Sequence, residues 1–508
     1  MANIGTGKRN LRIDSLPHDR QIAEKDCRQC VKRRIKCDRT LPHCRKCELR
    51  DISCSGFDRL QLRWNQGIAS RGRFRGKGVP LPKICGSTGP HLGGVSIELS
   101  ASPSRDASVI KTHLATSLND KLLHHFFSTV VPRLTWLDVG PSNPWRRLIQ
   151  PLASQSHHLR LSISGLAAAH LAATVSGEGQ SSFFLQVNNS IRDETLKTLS
   201  HGLRNETNTG RMASRQLQSS ETEFLNMLAS ALVLCYSEMH IPSSNDWGLH
   251  LRACRAMVER CFLLSQQSHP HDALSKFLIK EVADLETFGN LARSRVSEKA
   301  IVGTNFNSLL HSNLWTFTAL IDELTRVERL RSSSPKKYFG STESELEKWH
   351  GKLGAAYESA NEMITSLPEC DSTQSMFRLV IDAHYYATLL YCYQCLTLPG
   401  TYEQQKREFC DTLWHSIQSV TDKSSAEFIH DVFFPLFIVG TQSLHDMERQ
   451  AVVEAVFLQT MHATGFWCNQ TALQMLRSFW THSDRAIDET WIQFVRRNAA
   501  AIGPFVIF

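Results

Sequence analysis

The sequence predicts a mostly all-α protein with a small cysteine-rich domain, a flexible linker and a large all-α helical domain. Six of its 15 cysteines lie between positions 27 and 54. From about residue 119, apolar residues recur every three or four positions, which is the spacing of amphipathic helices, and no series of alternating β-branched strands appears. Proline and glycine recur through residues 78–112, a composition typical of a linker.

Four segments follow from these changes in composition. Residues 1–24 are polar and show no periodicity, so we expect a disordered N-terminus. The cysteine-rich domain is predicted at 25–56, a basic arm and linker at 57–118, and the helical domain at 119–508. The chain has 508 residues and is 42% hydrophobic, which is enough for more than one domain and for a large core.

The six cysteines form an internal repeat that predicts a binuclear metal site. The unit Cys-x2-Cys-x6-Cys occurs twice, as Cys27, Cys30 and Cys37 and again as Cys44, Cys47 and Cys54. A Cys-x2-Cys turn can direct two thiolates at one metal ion, and tetrahedral zinc takes four ligands. Two zinc ions per chain need eight ligand positions, which six sulfurs fill if two of them bridge. Residues 1–10 lack the apolar segment of a signal peptide, which argues against a disulfide framework.

The two halves of the repeat differ in charge. The first half carries VKRRIK at residues 31–36, which we call the cationic ridge, and the second carries ELRDIS at residues 48–53. Residues 1–78 hold 20 Lys and Arg against 8 Asp and Glu, a net of +12, whereas the remainder holds 37 against 41, a net of −4. A basic amino-terminal region is typical of a surface that faces DNA. The alternative, a merely solvated basic face, is disfavoured by the metal site around the ridge.

The spacing of all six cysteines resembles that of the fungal binuclear zinc cluster (Zn2Cys6) transcription regulators. The resemblance implies that Cys27 and Cys44 bridge the two zinc ions. It further implies which cysteines complete each site, Cys30 and Cys37 for one ion and Cys47 and Cys54 for the other. Pro42 resembles the family's loop proline, which implies a cis peptide bond. Double-stranded DNA is then the expected partner, and CGG-like triplets in the major groove are the expected target.

Seven basic residues are the expected DNA contacts: Lys32, Arg33, Arg34, Lys36, Arg39, Arg45 and Lys46. Arginine can pair bidentately with guanine O6 and N7, the commonest specific contact in the major groove. By resemblance, Arg34 stands where the family usually has a base-reading lysine, and Lys36 and Asp38 fit the family's pattern. Val31 departs from that pattern, because the family usually has an arginine there, which puts one phosphate contact in question.

Arginine alternates with glycine and an aromatic residue at 71–77 (RGRFRGK), within the predicted arm. The tract after the cysteines resembles one branch of the family, that of the acriflavine sensitivity control protein. Three roles remain open for it: an arm along phosphates or in a minor groove, a nuclear import signal, or a flexible tail. Residues 55–112 show no a/d heptad, so no coiled-coil dimer is expected there. A footprint longer than one triplet must then come from the arm or from a homodimer held by the helical domain.

The large domain is predicted to be helical throughout. The predicted helices are 158–176, 183–200, 222–240, 246–264, 273–291, 313–330, 342–366, 374–398, 402–420, 424–440, 446–464, 469–481 and 485–500. Ser220 and Glu223 have the spacing of a capping box before an apolar run. The stretches 122–138, 143–153, 434–440 and 465–480 resemble the family's regulatory domain. We expect this domain to receive a small-molecule effector or a coregulator, with a dimerisation scaffold as the alternative.

Two classes of function fit these features. The first is a zinc-dependent, sequence-specific DNA-binding regulator of RNA polymerase II genes in the nucleus, either an activator or a repressor. The second is a zinc enzyme with its active site in the helical domain. Catalytic zinc keeps an open ligand position, which six cysteines shared by two ions do not leave, so we expect no enzyme. The longest apolar run, residues 432–440, is too short to cross a bilayer, and no membrane partner is expected.

Overall fold

Helices make up the regular structure of this chain wherever it is described. The computed structural model describes residues 26–40, 43–50, 52, 54, 117–209, 216–265, 273–291, 315–333, 342–365, 371–422, 428–482 and 489–508. These ranges contain no strand, which confirms the predicted all-α class. The predicted disordered N-terminus at 1–24, the loop proline Pro42 and residues 57–116 of the predicted arm and linker lie outside them. The chain divides into two units, Met1–Arg63 and Trp64–Phe508.

The first unit is built around its cysteines. Its two short helices are α1 (Arg28–Lys32) and α2 (Arg45–Glu48), and each begins at the first cysteine pair of one half of the repeat. The buried cluster of this unit consists of cysteines alone among the described residues. Structure in this unit therefore depends on the sulfur atoms rather than on an apolar core.

The described part of the second unit consists mainly of helices. In chain order they are α3 (117–125), α4 (Gln150–Gln155), α5 (His157–Thr174), α6 (Glu178–Thr209), α7 (Gln216–Met239), α8 (Trp247–Ser265), α9 (Ala273–Asn290), α10 (Trp315–Ser333), α11 (Thr342–Thr365), α12 (Asp371–Leu396), α13 (Glu403–Asp422), α14 (Phe433–Gln442), α15 (Met447–Thr464), α16 (Asn469–Thr481), α17 (Trp491–Arg497) and α18 (Ala499–Ile502). Most predicted helices agree with these bounds to within a few residues. The span predicted at 485–500 is wrong as a single helix, because α17 and α18 are separate.

Packing in this unit centres on α5 and α12. Helix α12 lies against α10, α11, α13 and α14, while α5 lies against α6 and α7. Residues Phe433–Thr441 of α14 are all buried, so the longest apolar run of the sequence is a core helix. Within the described ranges, no helix combines the length and the apolar character that crossing a membrane requires.

The turn before α4 is fixed by one buried tryptophan and one ion pair. Trp145 is fully buried and meets Phe126, Tyr236 and Phe277 edge to face, with ring centroids 5.9, 5.9 and 5.3 Å apart. Such aromatic pairs stabilise a core beyond the apolar area that they bury. The neighbouring arginine, Arg146, pairs with Asp138 through both terminal nitrogens and also donates to the carbonyl oxygen of residue 127.

Helix ends show where local sequence signals succeed and fail. Helix α7 begins at Gln216, so Ser220 is inside it and the capping box predicted there is wrong. A capping box does form at α17, where Thr490 accepts from the Gln493 amide and the Gln493 side chain accepts from the Thr490 amide. Helix α15 ends at Gly465 with a φ of +75°, the left-handed geometry that favours glycine at a helix end.

Two glycines in helices provide a matched test of this packing. A Cβ at Gly440 in α14 would lie 2.7 Å from Cδ1 and 3.2 Å from Cδ2 of Leu476, which is fully buried. A Cβ at Gly351, exposed on α11, would meet nothing within 4 Å. We expect Gly440→Ala to lower the free energy of unfolding by about 1–3 kcal/mol through overpacking. Gly351→Ala should raise it by about 0.5–1 kcal/mol, because glycine is unfavourable inside a helix.

Urea unfolding of both variants, followed by circular dichroism at the helix band, measures these two changes. Equal stabilisation by the two alanines would contradict the close approach of α14 and α16.

Candidate metal centre and nucleic-acid interface

The six thiols of the repeat lie in two overlapping groups of four. The Sγ atoms of each group lie within 4.8 Å of one another; the groups are Cys27, Cys30, Cys37 and Cys44, and Cys27, Cys44, Cys47 and Cys54. Cys27 and Cys44 belong to both groups, and their Sγ atoms are 3.5 Å apart. Five of the six side chains are buried and the sixth, Cys54, is half-buried.

Each half of the repeat uses the start of a short helix to present its sulfurs. The backbone amide of Cys30, in the first turn of α1, donates to Cys27 Sγ at 3.4 Å. Cys44 precedes α2 in the same extended backbone conformation that Cys27 adopts before α1. Amides at a helix N-terminus favour negative charge, so both positions suit a thiolate.

The donor set fits two zinc ions. Two thiolates on one tetrahedral zinc ion, with Zn–S bonds of about 2.3 Å, lie about 3.8 Å apart. The Cys27–Cys47 and Cys30–Cys44 sulfur pairs are each separated by 3.7 Å. Six sulfurs in two groups that share two members could supply four ligands to each of two ions. No oxygen or nitrogen ligand is needed.

The protonation of the thiols follows from their surroundings. Burial raises the pKa values of Cys30, Cys44 and Cys47. Burial opposes deprotonation at Cys27 too, yet the Cys30 amide and the neighbouring thiols lower the pKa of Cys27 to about 7. A coordinated metal ion deprotonates its thiol ligands outright, so zinc would override these differences.

Two aspartates hold the segments that carry the sulfurs. Asp26 accepts from the Cys37 amide at 3.2 Å and from Arg39 Nε at 2.6 Å, and the contact with Arg39 helps to lower its pKa. Asp38 is buried and accepts from the amides of Arg45 and Lys46, at 3.0 and 3.4 Å, so it caps α2. Neither role could be predicted from the cysteine spacing, although each aspartate lies next to a cysteine in the sequence.

The seven basic residues expected at DNA separate into two sets. Lys32, Arg34 and Lys36 are exposed on the cationic ridge, and their side chains make no hydrogen bond or ion pair to other described residues. The half-buried set is Arg33, Arg39, Arg45 and Lys46. In this second set, Arg33 Nη2 donates to the carbonyl oxygen of Lys46 at 3.5 Å, and Lys46 Nζ donates to that of Lys36 at 2.6 Å. These contacts join the first half of the repeat to α2.

The backbone turns sharply at two of these arginines. Arg34, directly after α1, has a φ of +55°, and Arg39 has a φ of +59°. Both lie in the left-handed region, which is uncommon for residues other than glycine. The turn at Arg34 follows the C-cap residue of α1, Arg33, and leaves Arg34 exposed on the ridge.

The large unit does not present a serine nucleophile at Ser162-x-Ser164-Gly165, a stretch that has part of the spacing of a nucleophile elbow. Ser162 and Ser164 lie inside α5 and are fully buried. Ser162 Oγ donates to the carbonyl oxygen of Leu159 at 3.0 Å, and Ser164 Oγ donates to Asn119. A nucleophile elbow would need an exposed hydroxyl on a strand-to-helix turn, so these serines are structural.

Comparison with known proteins finds a separate family model for each unit. The model of the fungal specific transcription factor domain matches residues 121–502, and that of the fungal Zn(2)-Cys(6) binuclear cluster domain matches residues 25–63. Arginine metabolism regulation protein II of Saccharomyces cerevisiae is 37% identical over 68 residues, which is 13% of this chain and 7% of that protein. The chain thus matches only a small part of that relative's length. No solved structure matches the chain.

These matches confirm the resemblance drawn from the cysteine spacing. The family implies zinc as the metal, DNA as the partner and the nucleus as the location. The chain belongs to the fungal-specific transcription factors that carry a Zn(2)-Cys(6) cluster domain.

Proposed function

We propose that this protein is a DNA-binding regulator of transcription that holds two zinc ions per chain and reads a CGG-like triplet in the major groove. The observation that carries the proposal is the overlap of the two thiol groups at Cys27 and Cys44. A shared pair lets six cysteines satisfy two tetrahedral ions. The alternative, a zinc enzyme, would need an open ligand position for water, and the donor set leaves none if both ions are present.

Readout is assigned to the exposed part of the cationic ridge. Arg34 is exposed and its guanidinium is unused by the described residues, so it can pair with guanine O6 and N7. Lys32 and Lys36 flank it as phosphate contacts. Arg33, Arg39 and Lys46 are instead engaged within the unit, so we assign them mainly to support, with Arg45 beside the α2 cap.

The protein must contact more DNA than one triplet. A single triplet recurs too often to define a promoter, so the basic arm at 63–77 or a homodimer must extend recognition. We favour the arm, because its arginines follow the cluster closely in the sequence.

The large unit is proposed to bind a small effector or a coregulator, and a dimerisation role is the alternative.

The number of metal ions tests the shared thiols. The purified full chain should contain two zinc ions, and Cys27→Ser should lose both because that sulfur contributes to both sites and zinc supplies the folding energy. Cys392→Ala, which removes a buried thiol of α12 outside the cluster, should keep two. Metal per chain is measured by plasma mass spectrometry, and a count of one in the unmodified protein would refute the binuclear assignment.

Readout by Arg34 is tested by comparing a CGG duplex with a scrambled one. Arg34→Ala should cost about 1–3 kcal/mol on the CGG duplex and little on the scrambled duplex. Lys32→Ala should weaken both equally and reduce the salt slope by about 1, as expected for a phosphate contact. Arg50→Ala removes an exposed charge from the second half of the repeat and is the matched control. Equal losses on both duplexes for Arg34→Ala would count against the assignment.

The arm is tested by varying the bases that flank a single CGG. Replacement of Arg71, Arg73 and Arg75 by alanine should weaken binding and abolish its dependence on the flanks. Replacement of Arg9, Arg12 and Arg20 removes the same charge from the N-terminal segment and should leave the flank dependence intact. Binding that ignores the flanks in the unmodified protein would favour the homodimer instead.

A further inference from the structure

A partly open pocket in the large unit has the size of a small ligand. It measures about 200 Å³ and its wall is mainly aromatic, with Trp136, Tyr236, Phe277, Phe434 and Phe508 among the lining residues. An apolar cavity of about 150 Å³ accommodates a benzene ring, so this one fits a body of one or two rings. The lining residues come from sites far apart in the sequence, which makes the pocket a product of the tertiary fold.

The acidic groups on the wall either pair with neighbouring side chains or are held in their neutral forms by burial. Glu281 accepts from the Tyr236 hydroxyl at 2.8 Å and pairs with Lys280, and Asp284 lies 4.0 Å from the same lysine. Asp431 Oδ1 lies 3.4 Å from His430 Nε2. Burial raises the pKa values of Asp284 and Asp431 well above the usual range, which favours their neutral forms.

The guanidinium of Arg133 on the same wall is not balanced by any acid. Its Nη1 donates to the carbonyl oxygen of Thr129 at 2.7 Å, and its buried Nε has no hydrogen-bond partner. Across the described ranges, no carboxylate forms an ion pair with it. Burying an unpaired cation is unfavourable, and an arginine remains charged at neutral pH, so this group gains from an anionic partner.

The groups closest to Arg133 do not supply that anion. Three histidines lie near it, and burial, together with the charge of Arg133, lowers the pKa values of His125 and His170. The same effects lower the pKa of His240 to about 4, although its hydrogen bond to the carbonyl oxygen of Gly465 opposes them. All three imidazoles are therefore neutral at physiological pH, and Arg133 is the uncompensated charge of this wall.

We infer that the pocket binds a small aromatic carboxylate, with its rings between the aromatic side chains and its carboxylate on the guanidinium of Arg133. An arginine fork matches a carboxylate in geometry as well as in charge. The inference rests on the proposed effector-binding role of the large unit and specifies the chemistry of that effector. It does not depend on how the cluster reads DNA.

The test uses three compounds that share a naphthalene ring and differ in their head group. Isothermal titration of the full-length protein with 1-naphthaleneacetate, 2-(1-naphthyl)ethanol and 2-(1-naphthyl)ethylamine compares an anion, a neutral donor and a cation. We expect one site per chain and a carboxylate affinity at least about tenfold above that of the alcohol, the difference typical of one charged hydrogen bond. The amine should bind most weakly.

Two variants locate the preference. Arg133→Gln should remove the advantage of the carboxylate and leave the alcohol unchanged, whereas Arg147→Gln, which changes an exposed arginine of the same region, should alter neither. Melting temperatures without ligand show whether each variant is folded. If Arg133→Gln unfolds, Arg133→Lys keeps the charge without the fork and should weaken the carboxylate severalfold.

Three results would overturn the inference: equal affinities for the three compounds, tighter binding of the amine, or no binding by any of them. Tighter binding of the amine would point to Asp431 or Asp284 as the charged partner. Binding of a CGG duplex by the same sample, measured without these compounds, tests the proposed regulator independently.

Discussion

The first unit depends on one constraint: its six sulfur atoms lie in two groups of four that share Cys27 and Cys44. Its described residues include no apolar cluster apart from the cysteines. A unit of this size buries too little apolar surface to fold on that basis, and in the proposed function metal coordination supplies the free energy. The short helices, the Asp38 cap and the Asp26 contact to the Cys37 amide then act as supports that aim thiolates. The exposed basic ridge takes its position from the same sulfurs.

The sequence predicted the grouping of cysteines better than the use of the basic residues. A fixed spacing limits how far two sulfurs can separate, so the repeat carries geometric information by itself. A lysine or arginine has a long, flexible side chain, and its role depends on residues elsewhere in the chain. Arg33 contacts the Lys46 backbone and Arg39 contacts Asp26, each 13 positions away. Charge alone could not distinguish these two from the exposed Arg34.

The large unit shows the same contrast between local and distant information. Apolar periodicity located most of its helices, because each buried face repeats within a few residues. Local signals were weaker at the helix ends. The capping box predicted at Ser220 lies inside α7, and the capping box observed at Thr490 was not predicted from the sequence. The aromatic pocket was beyond prediction, since Arg133, Phe277 and Phe508 become neighbours only when the helices pack.

Two requirements apply to the residue at position 34: it must tolerate a positive φ and, in the proposed readout, it must carry a cationic side chain. A β-branched side chain would be strongly strained at a φ of +55°, and glycine would relax the turn but remove the guanidinium. With the DNA contact proposed for Arg34, arginine and lysine meet both requirements, because each is unbranched at Cβ and carries a terminal cation. In the proposed readout, very few residue types at this position could therefore change the target preference and still fit the turn. Broader changes in specificity have to arise at neighbouring residues or outside the cluster.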